Sequence, residues 1–279
     1  MTAGSAWTIA SLRVGELYLP HGGGIMRDPV HCWLVRGEGH NILVDSGMAD
    51  IATIRDRLKV DGWGGGHAAL TACLAAEGLS PGDIDHVVLT HLHFDHAYNL
   101  DLFPDAMVIV QRSEMAEAID PVPSQRIFYW RETIADLTAR KRGKQIRLVD
   151  GDTSLFAGFE LLSLPAHTAG MQVALVSTAK GKVALVSDLG DHYRYWFPAD
   201  PRATDRPARY LTGDFLTGNI RSESERTWQS AMRRVFAEAD IVVPAHDFRI
   251  PMHIPEQWWA IPESVEGDLA HTPPDREAA

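Results

Sequence analysis

The chain has 279 residues, of which 45% are hydrophobic and 23% charged, a balance typical of a folded globular protein whose core needs no disulfide support. Its formal net charge of −11 argues against nucleic acid as the main partner, because phosphate binding needs clusters of Lys and Arg. The first residues lack the basic and apolar stretches of a secretory signal. No run approaches the roughly 18 apolar residues of a membrane-spanning helix, so we expect a cytoplasmic protein that binds no membrane.

The first third of the chain predicts short strands joined by turns. Strands are predicted over 7–12 and 16–19, followed by a hairpin of 31–35 with 41–45 around a Gly-containing turn. Apolar spacing predicts helices over 49–59 and 67–77, with a Gly-rich loop at 61–66 between them. A buried strand over 86–90 then leads directly into His91.

The remaining chain predicts further strands, with helices between them and after them. In chain order these are a strand over 106–110, a helix over 114–119 capped by Ser113, a loop over 120–130, a helix over 131–140, strands over 146–149, 159–164, 171–177 and 182–186, a long loop over 187–218, an amphipathic helix over 222–239 and a strand over 241–243. Two sets of strands, each followed by helices, fit an α/β fold with sheet packed on sheet and helices outside. We expect one domain over 1–272 and a disordered tail over 273–279.

The stretch Thr90-His91-Leu92-His93-Phe94-Asp95-His96 carries the chemistry. In an extended chain, residues two apart point the same way, so His91 and His93 can reach one ion. A turn after them would aim Asp95 and His96 at a second ion. Imidazole nitrogen and carboxylate oxygen suit Zn²⁺, and also iron, manganese or cobalt.

Three further candidate ligands stand just past apolar strands, where the strand fixes a residue and the loop exposes it. They are His167 after 161–166, Asp188 after 183–187 and His246 after 241–245. Two ions that each keep an open or shared position need about seven ligands, which this set supplies. A lone histidine is more often a surface or core residue than a ligand, but this clustering has no packing rationale.

The pattern His-x-His-x-Asp-His, followed by His, Asp and His at later strand ends, resembles the metallo-β-lactamase superfamily. The likeness implies an αβ/βα sandwich of two packed mixed β-sheets, with helices outside and the metals at one edge. It also implies a ligand set in three parts: His91, His93 and His167 for one metal, Asp95, His96 and His246 for the other, and Asp188 as the bridge. Asp45 and Thr90 would orient ligands instead of binding metal.

Within that superfamily, the motif, the stretch Val110-Gln111-Arg112-Ser113-Glu114 and the closing Ala245-His246-Asp247 are most similar to the N-acyl-homoserine-lactone lactonase group. The resemblance implies a carboxylic ester hydrolase, lactonase-like and quorum-quenching, with two divalent ions per chain, Zn²⁺ first. A hydroxide bridging the metals would attack the ester or lactone carbonyl, and Asp95 would carry a proton to the leaving group.

Two stretches depart from the lactonase group. Ala97-Tyr98 replaces its Gly-Gly, and Asp191 stands where it often has a substrate-facing Tyr, with Tyr193 two residues further on as a candidate catalytic residue. Hydrolysis of a thioester, amide or phosphodiester therefore stays open. So does a different class of enzyme, a mononuclear iron dioxygenase of the persulfide type, which shares much of the ligand set.

Aromatic residues in the predicted loops indicate a substrate pocket beside the metals. The pocket candidates are Phe128, Trp130, His192, Tyr193 and Arg194. They favour a small-molecule substrate with an apolar or aromatic part. Exposed aromatics in such loops also leave a homodimer open.

Overall fold

The computed structural model describes residues 7–21, 24–190, 224–247 and 250. Within these ranges, the chain forms a seven-stranded sheet, a five-stranded sheet and five α-helices. None of the helices in these ranges is long and apolar enough to cross a membrane.

The larger sheet is built from the first half of the chain. Its strands are β1 (Thr8–His21), β2 (Gly24–Gly37), β3 (His40–Val44), β4 (Asp61–Gly64), β5 (His86–Val88), β6 (Met107–Gln111) and β7 (Ile146–Val149), in the order β4-β1-β2-β3-β5-β6-β7. The pairs among β4, β1, β2 and β3 are antiparallel. From β3 to β7 neighbouring strands are parallel, so the carboxyl ends of β3 and β5 meet at one edge.

The smaller sheet follows. Its strands are β8 (Thr153–Phe156), β9 (Phe159–Ser163), β10 (Gln172–Thr178), β11 (Gly181–Ser187) and β12 (Ile241–Pro244), in the order β12-β11-β10-β9-β8. All pairs are antiparallel except β11 with β12, which run parallel. The residues that follow β11 and β12 therefore leave the sheet at the same edge.

Three clusters of buried apolar side chains define the layers. One lies between the sheets and contains Val44, Val88 and Ile109 from the larger sheet with Leu161, Val176 and Leu185 from the smaller. A second joins the outer face of the larger sheet to α1 (Ile51–Leu58), α2 (Gly66–Ala76), α3 (Arg112–Ile119) and α4 (Arg131–Gly143). The third joins the outer face of the smaller sheet to α5 (Glu225–Glu238).

The side chains alternate between these clusters along single strands. Val87 packs outward and Val88 inward, and on β10 Val173 packs outward and Ala174 inward. This period of two is what a strand buried on both faces requires. The predicted αβ/βα sandwich is thereby confirmed.

Several local predictions need correction. The predicted loop at 61–66 contains β4, which pairs with β1, and β8 was not predicted. The strands predicted over 7–12 and 16–19 are one strand, β1, with an irregularity between Arg13 and Gly15. Ser113 does not cap α3, since that helix begins at Arg112 and has Gln111 at its N-cap. The predicted tail lies outside the described residues.

Candidate metal centre

All seven predicted ligands lie at one edge of the sandwich, where strands from both sheets end. The His91 to His96 motif follows β5, and the other three follow β9, β11 and β12. The histidines of the set are at most 3% exposed. Among the two carboxylates, the Asp188 side chain is 7% exposed and that of Asp95 is 13% exposed. Asp95 is therefore the most open of the seven.

The side chains form two groups, each able to hold a metal ion. The first comprises His91, His93, His167 and Asp188, and the second comprises Asp95, His96 and His246. Within each group, one candidate ligand atom per residue lies within 4.8 Å of all the others. The first group is the His91, His93 and His167 trio implied by the family resemblance with Asp188 added, and the second is the Asp95, His96 and His246 trio.

Asp188 lies between the groups and presents one oxygen to each. Its Oδ2 is 3.3 Å from Nε2 of His167 and 3.9 Å from Nε2 of His91. Its Oδ1 is 2.9 Å from Nε2 of His246 and 3.0 Å from Nε2 of His96. A carboxylate in this position can serve as a ligand common to both groups.

The ring nitrogens fit a metal. Nε2 of His91, His93 and His96 is buried and forms no hydrogen bond within the described residues. Nδ1 of His96 donates to Asp45 over 2.9 Å, and Nδ1 of His246 donates to the Pro29 carbonyl over 2.8 Å. Each far-side nitrogen thus has a fixed acceptor for its proton, so Nε2 is the nitrogen that a bound cation would occupy in place of a proton. Nitrogen and oxygen donors of this kind suit zinc.

Burial and charge set the protonation states. Burial lowers the pKa values of His91 and His93 well below that of an ordinary histidine. Both rings are therefore neutral at pH 7, and the neutral imidazole is the form that binds metal. Burial opposes charge on His246 as well, but Asp28 and Asp188 raise its pKa to about 10. Burial would raise the pKa of Asp188, yet the surrounding histidines hold it well below its usual value. Asp188 is therefore a carboxylate at neutral pH.

A layer of polar residues behind the candidate ligands holds them in place. Asp45 accepts hydrogen bonds from the backbone N and hydroxyl of Thr90 at 2.8 and 2.9 Å, besides the bond from His96. Ser187 lies 2.9 Å from the Thr90 hydroxyl, joining the smaller sheet to the larger. Asp45 and Ser187 have φ of 61° and 49°, a conformation that L-residues adopt only under constraint. These turns direct the chain from the strand ends into the site.

Gln172 ties the motif to the smaller sheet. Its backbone N donates to the Thr90 carbonyl over 2.9 Å, and its side chain donates to the Leu89 carbonyl over 2.7 Å. Its Oε1 accepts from Gln111 of β6 over 3.0 Å. The residues that precede His91 are therefore fixed from across the core.

Two of the five predicted pocket residues lie in the described part of the chain, and they differ in how they contact the site. The ring of Phe128 packs against His93 at a centroid distance of 5.1 Å. Trp130 stacks on Phe94 at 5.1 Å, so it reaches the motif through that residue. His192, Tyr193 and Arg194 lie outside the described residues.

Two buried residues beside the site escaped the sequence analysis. Gln125 donates to the His167 carbonyl over 3.1 Å from within the predicted loop at 120–130. Ser187 precedes Asp188 directly, but nothing in the local sequence distinguishes it from other serines at a strand end. Both act through contacts with distant parts of the chain, which short-range pattern does not reveal.

Residues 25–246 match the family model described as the metallo-beta-lactamase superfamily. The chain is 28% identical over 173 residues to the N-acyl homoserine lactonase of Bacillus cereus, and 30% identical over 175 residues to N-acyl homoserine lactonase AiiA of Bacillus thuringiensis subsp. kurstaki. These matches cover 59% and 60% of this chain, and 65% and 66% of the two relatives, which is just under two thirds of their length.

Solved structures share the fold. An N-acyl homoserine lactone hydrolase with the product N-hexanoyl-L-homoserine bound at its catalytic metal center superposes with a TM-score of 0.67 at 23% identity, over 88% of this chain and 94% of that one. AidC, a dizinc quorum-quenching lactonase, superposes with a TM-score of 0.62 at 17% identity, over 88% and 89%.

Proposed function

The chain belongs to the metallo-β-lactamase superfamily, and we propose that it is a lactonase-like hydrolase that uses two divalent metal ions to cleave an ester or lactone. The observation that carries the proposal is the position of Asp188, with one carboxylate oxygen toward each of two groups of histidines. A single metal would leave the second group without a role. Asp95, His96 and His246 are nevertheless all present and close together.

We assign the ligands as the two groups divide them. The first metal is held by His91, His93 and His167, the second by Asp95, His96 and His246, and Asp188 serves both. When bound, two divalent ions supply a deprotonated water at neutral pH and polarise the substrate carbonyl. Zn²⁺ is the first choice for the donor set, with iron, manganese and cobalt as alternatives.

Asp95 has a second task in this proposal, as the group that carries a proton to the leaving alkoxide. Its side chain is the most exposed of the seven ligands, so it faces the space open to substrate. Burial raises its pKa above the ordinary value of a carboxyl, which moves it toward the range where general acid–base catalysis is efficient. One oxygen can bind metal while the other exchanges the proton.

The proposed substrate class rests on the similar enzymes and on the residues that line the site. The similar enzymes from Bacillus are N-acyl homoserine lactonases. Phe128, packed on His93, supplies an apolar surface at the first group that suits an acyl chain or ring. Ala97 and Tyr98 stand where the lactonase group has two glycines, so the acyl-homoserine lactones themselves are one member of the panel to be tested.

The experiment has two stages. Metal content per chain is quantified after reconstitution with Zn²⁺, Mn²⁺, Co²⁺ or Fe²⁺, and the loaded protein is assayed on lactones, thioesters, β-lactams and phosphodiesters, with oxygen uptake on a persulfide in parallel. We expect two ions per chain, lactone hydrolysis without oxygen uptake, and loss of activity on chelation that added metal restores. Fewer than one ion per chain would refute the dinuclear mechanism. Turnover confined to another member of the panel would refute the lactone assignment.

A further inference from the structure

Glu114, near the start of α3, is a fully buried carboxylate beside the candidate metal centre that is not one of the proposed ligands. It accepts four hydrogen bonds, two on each oxygen. Oε1 accepts from Leu92 N at 2.9 Å and the Tyr129 hydroxyl at 3.0 Å, and Oε2 accepts from the Thr168 hydroxyl at 2.6 Å and Gly170 N at 3.1 Å. The four donors belong to three separate loops.

These loops carry the first group of ligands or lie against it. Leu92 stands between His91 and His93, which follow the larger sheet, and Thr168 directly follows His167, which belongs to the smaller sheet. The first group must therefore be assembled from two sheets. Glu114 is a hydrogen-bond acceptor common to both parts, with one oxygen toward each.

Gly170 lies so close to Glu114 that a residue with a Cβ would not fit at position 170. A Cβ on Gly170 would lie 2.0 Å from the backbone N of Glu114 and 2.4 Å from its Cα. The loop after His167 is thus pressed against the first turn of α3. The carboxylate and the loop it holds form a single packed unit.

From these contacts we propose that Glu114 is a positioning residue for the first metal. It fixes the separation between the His91 and His93 pair and His167, and so sets the affinity of that group for its ion. The inference rests on the proposed function in so far as that function requires a metal there. It adds the residue that controls how tightly one of the two ions is held.

Each oxygen of Glu114 accepts from one backbone N–H, a group that can only donate, so both oxygens must be able to accept. In Glu114→Gln one oxygen becomes an NH₂ group, which donates. Whichever way the amide turns, the backbone N–H of either Leu92 or Gly170 loses its acceptor. The hydrogen bond between residue 114 and one of the two loops that carry the first group is then lost, although the side chain keeps its size.

The test measures zinc affinity, with a chelating dye as competitor, for the parent and Glu114→Gln. We expect two ions bound in both, with one of them held about 10- to 100-fold more weakly in the variant, as for other residues that orient metal ligands. Imidazole ¹⁵N NMR identifies which of the two ions is held more weakly. The resonances of His91, His93 and His167 should change as zinc is withdrawn to the point where only one ion is lost, and those of His96 and His246 should not. Excess zinc should restore kcat.

Two control variants isolate the effect. Tyr129→Phe removes one bond to Glu114 but leaves each backbone N–H its acceptor, so its zinc affinity should stay within about twofold of the parent. Trp7→Phe loses packing and a hydrogen bond to the Ala157 carbonyl at the opposite edge. It lowers stability without approaching the ligands, since β10 spans roughly 20 Å between the two edges.

Several results would overturn the proposal. One is parent affinity for both ions in Glu114→Gln, and another is loss of both ions in proportion to thermal stability, as in Trp7→Phe. Should Glu114→Gln not fold, Thr168→Val removes the bond beside His167 alone and should weaken one ion about fivefold or more. Parent affinity there would refute the role. A parent that binds two ions but cleaves no lactone refutes only the proposed substrate. A parent that binds no metal refutes both proposals.

Discussion

Nδ1 of His96 lies 2.9 Å from Oδ2 of Asp45, and this hydrogen bond determines which nitrogen of His96 is free to bind metal. A carboxylate only accepts, so Nδ1 carries a proton and Nε2 is the nitrogen left for a metal ion. Nε2 is the nitrogen that faces Asp188, at 3.0 Å from its Oδ1. Asp45 thereby orients a candidate ligand of the second group without being part of either group.

Asp45→Asn should weaken zinc binding about 10- to 100-fold for the second ion. The amide can offer an N–H to Nδ1 of His96, which moves the ring proton to Nε2 and removes the lone pair. The measurement is zinc affinity by chelator competition, alongside the thermal midpoint of the metal-free protein. Asp152→Asn is the matched control, since Asp152 pairs with Arg234 at the surface. Equal zinc affinities in the parent and Asp45→Asn would show that Asp45 does not select the tautomer.

Asp95→Asn should lower kcat by about 10²–10⁴-fold in saturating zinc, because the amide cannot carry a proton to the leaving group. An amide oxygen can still bind metal, so the variant should retain two ions per chain once enough zinc is supplied. Metal content and kcat are therefore measured on the same sample. Turnover at the parent rate with both ions bound would remove Asp95 from proton transfer and leave it only as a ligand.

The parts of the site that local sequence could predict are those that depend on strand geometry. His91 and His93 fall in one group, as expected for residues two apart in an extended segment, and Asp188 and His246 meet because β11 and β12 run parallel. Ser187, Gln125 and the full role of Glu114 depend on contacts between segments tens of residues apart. Ser187 bonds Thr90 across 97 positions, for example. No short-range pattern encodes such a pair.

The fold shows the same division. Alternating apolar residues predicted most strands and the helices with a clear apolar face. They failed at β4, where Asp61, Gly62, Trp63 and Gly64 have little strand propensity and become a strand because β1 offers an unpaired edge. They also split β1 incorrectly into two strands, because Arg13 to Gly15 looked like a break but is an irregularity within one strand.

Gln172→Leu should destabilise the protein by about 2 kcal/mol or more. The change removes the side-chain donor to the Leu89 carbonyl and the acceptor for Gln111, and both partners are buried. Urea unfolding of the metal-free protein gives the free energy. Gln145→Leu is the control, because Gln145 bonds the Pro104 carbonyl at the surface and its loss should cost about 0.5 kcal/mol or less. Equal losses of unfolding free energy in the two variants would mean that the hydrogen bonds of Gln172 between the sheets stabilise the protein no more than a surface hydrogen bond does.

His31 should make the fold sensitive to acid. It is 2% exposed, and its Nδ1 donates to the Ala245 carbonyl over 2.8 Å. Burial lowers its pKa from 6.5 to about 4. The unfolded chain therefore takes up a proton near pH 6.5 while the folded chain does so only near pH 4. His31 therefore costs no stability above pH 6.5, lowers the free energy of unfolding progressively between pH 6.5 and 4, and lowers it no further below pH 4.

The loss should reach about 3 kcal/mol at pH 4, and His31→Gln should abolish it, because glutamine can donate to the same carbonyl and does not titrate. Unfolding free energies of the metal-free parent and variant are compared from pH 8 to pH 4. The metal ligands protonate alike in both proteins, so the difference between the two curves isolates His31. That difference should shift in favour of the variant as the pH falls below 6.5. A difference that stays constant across the range would show that His31 is protonated in the folded protein as readily as in the unfolded chain.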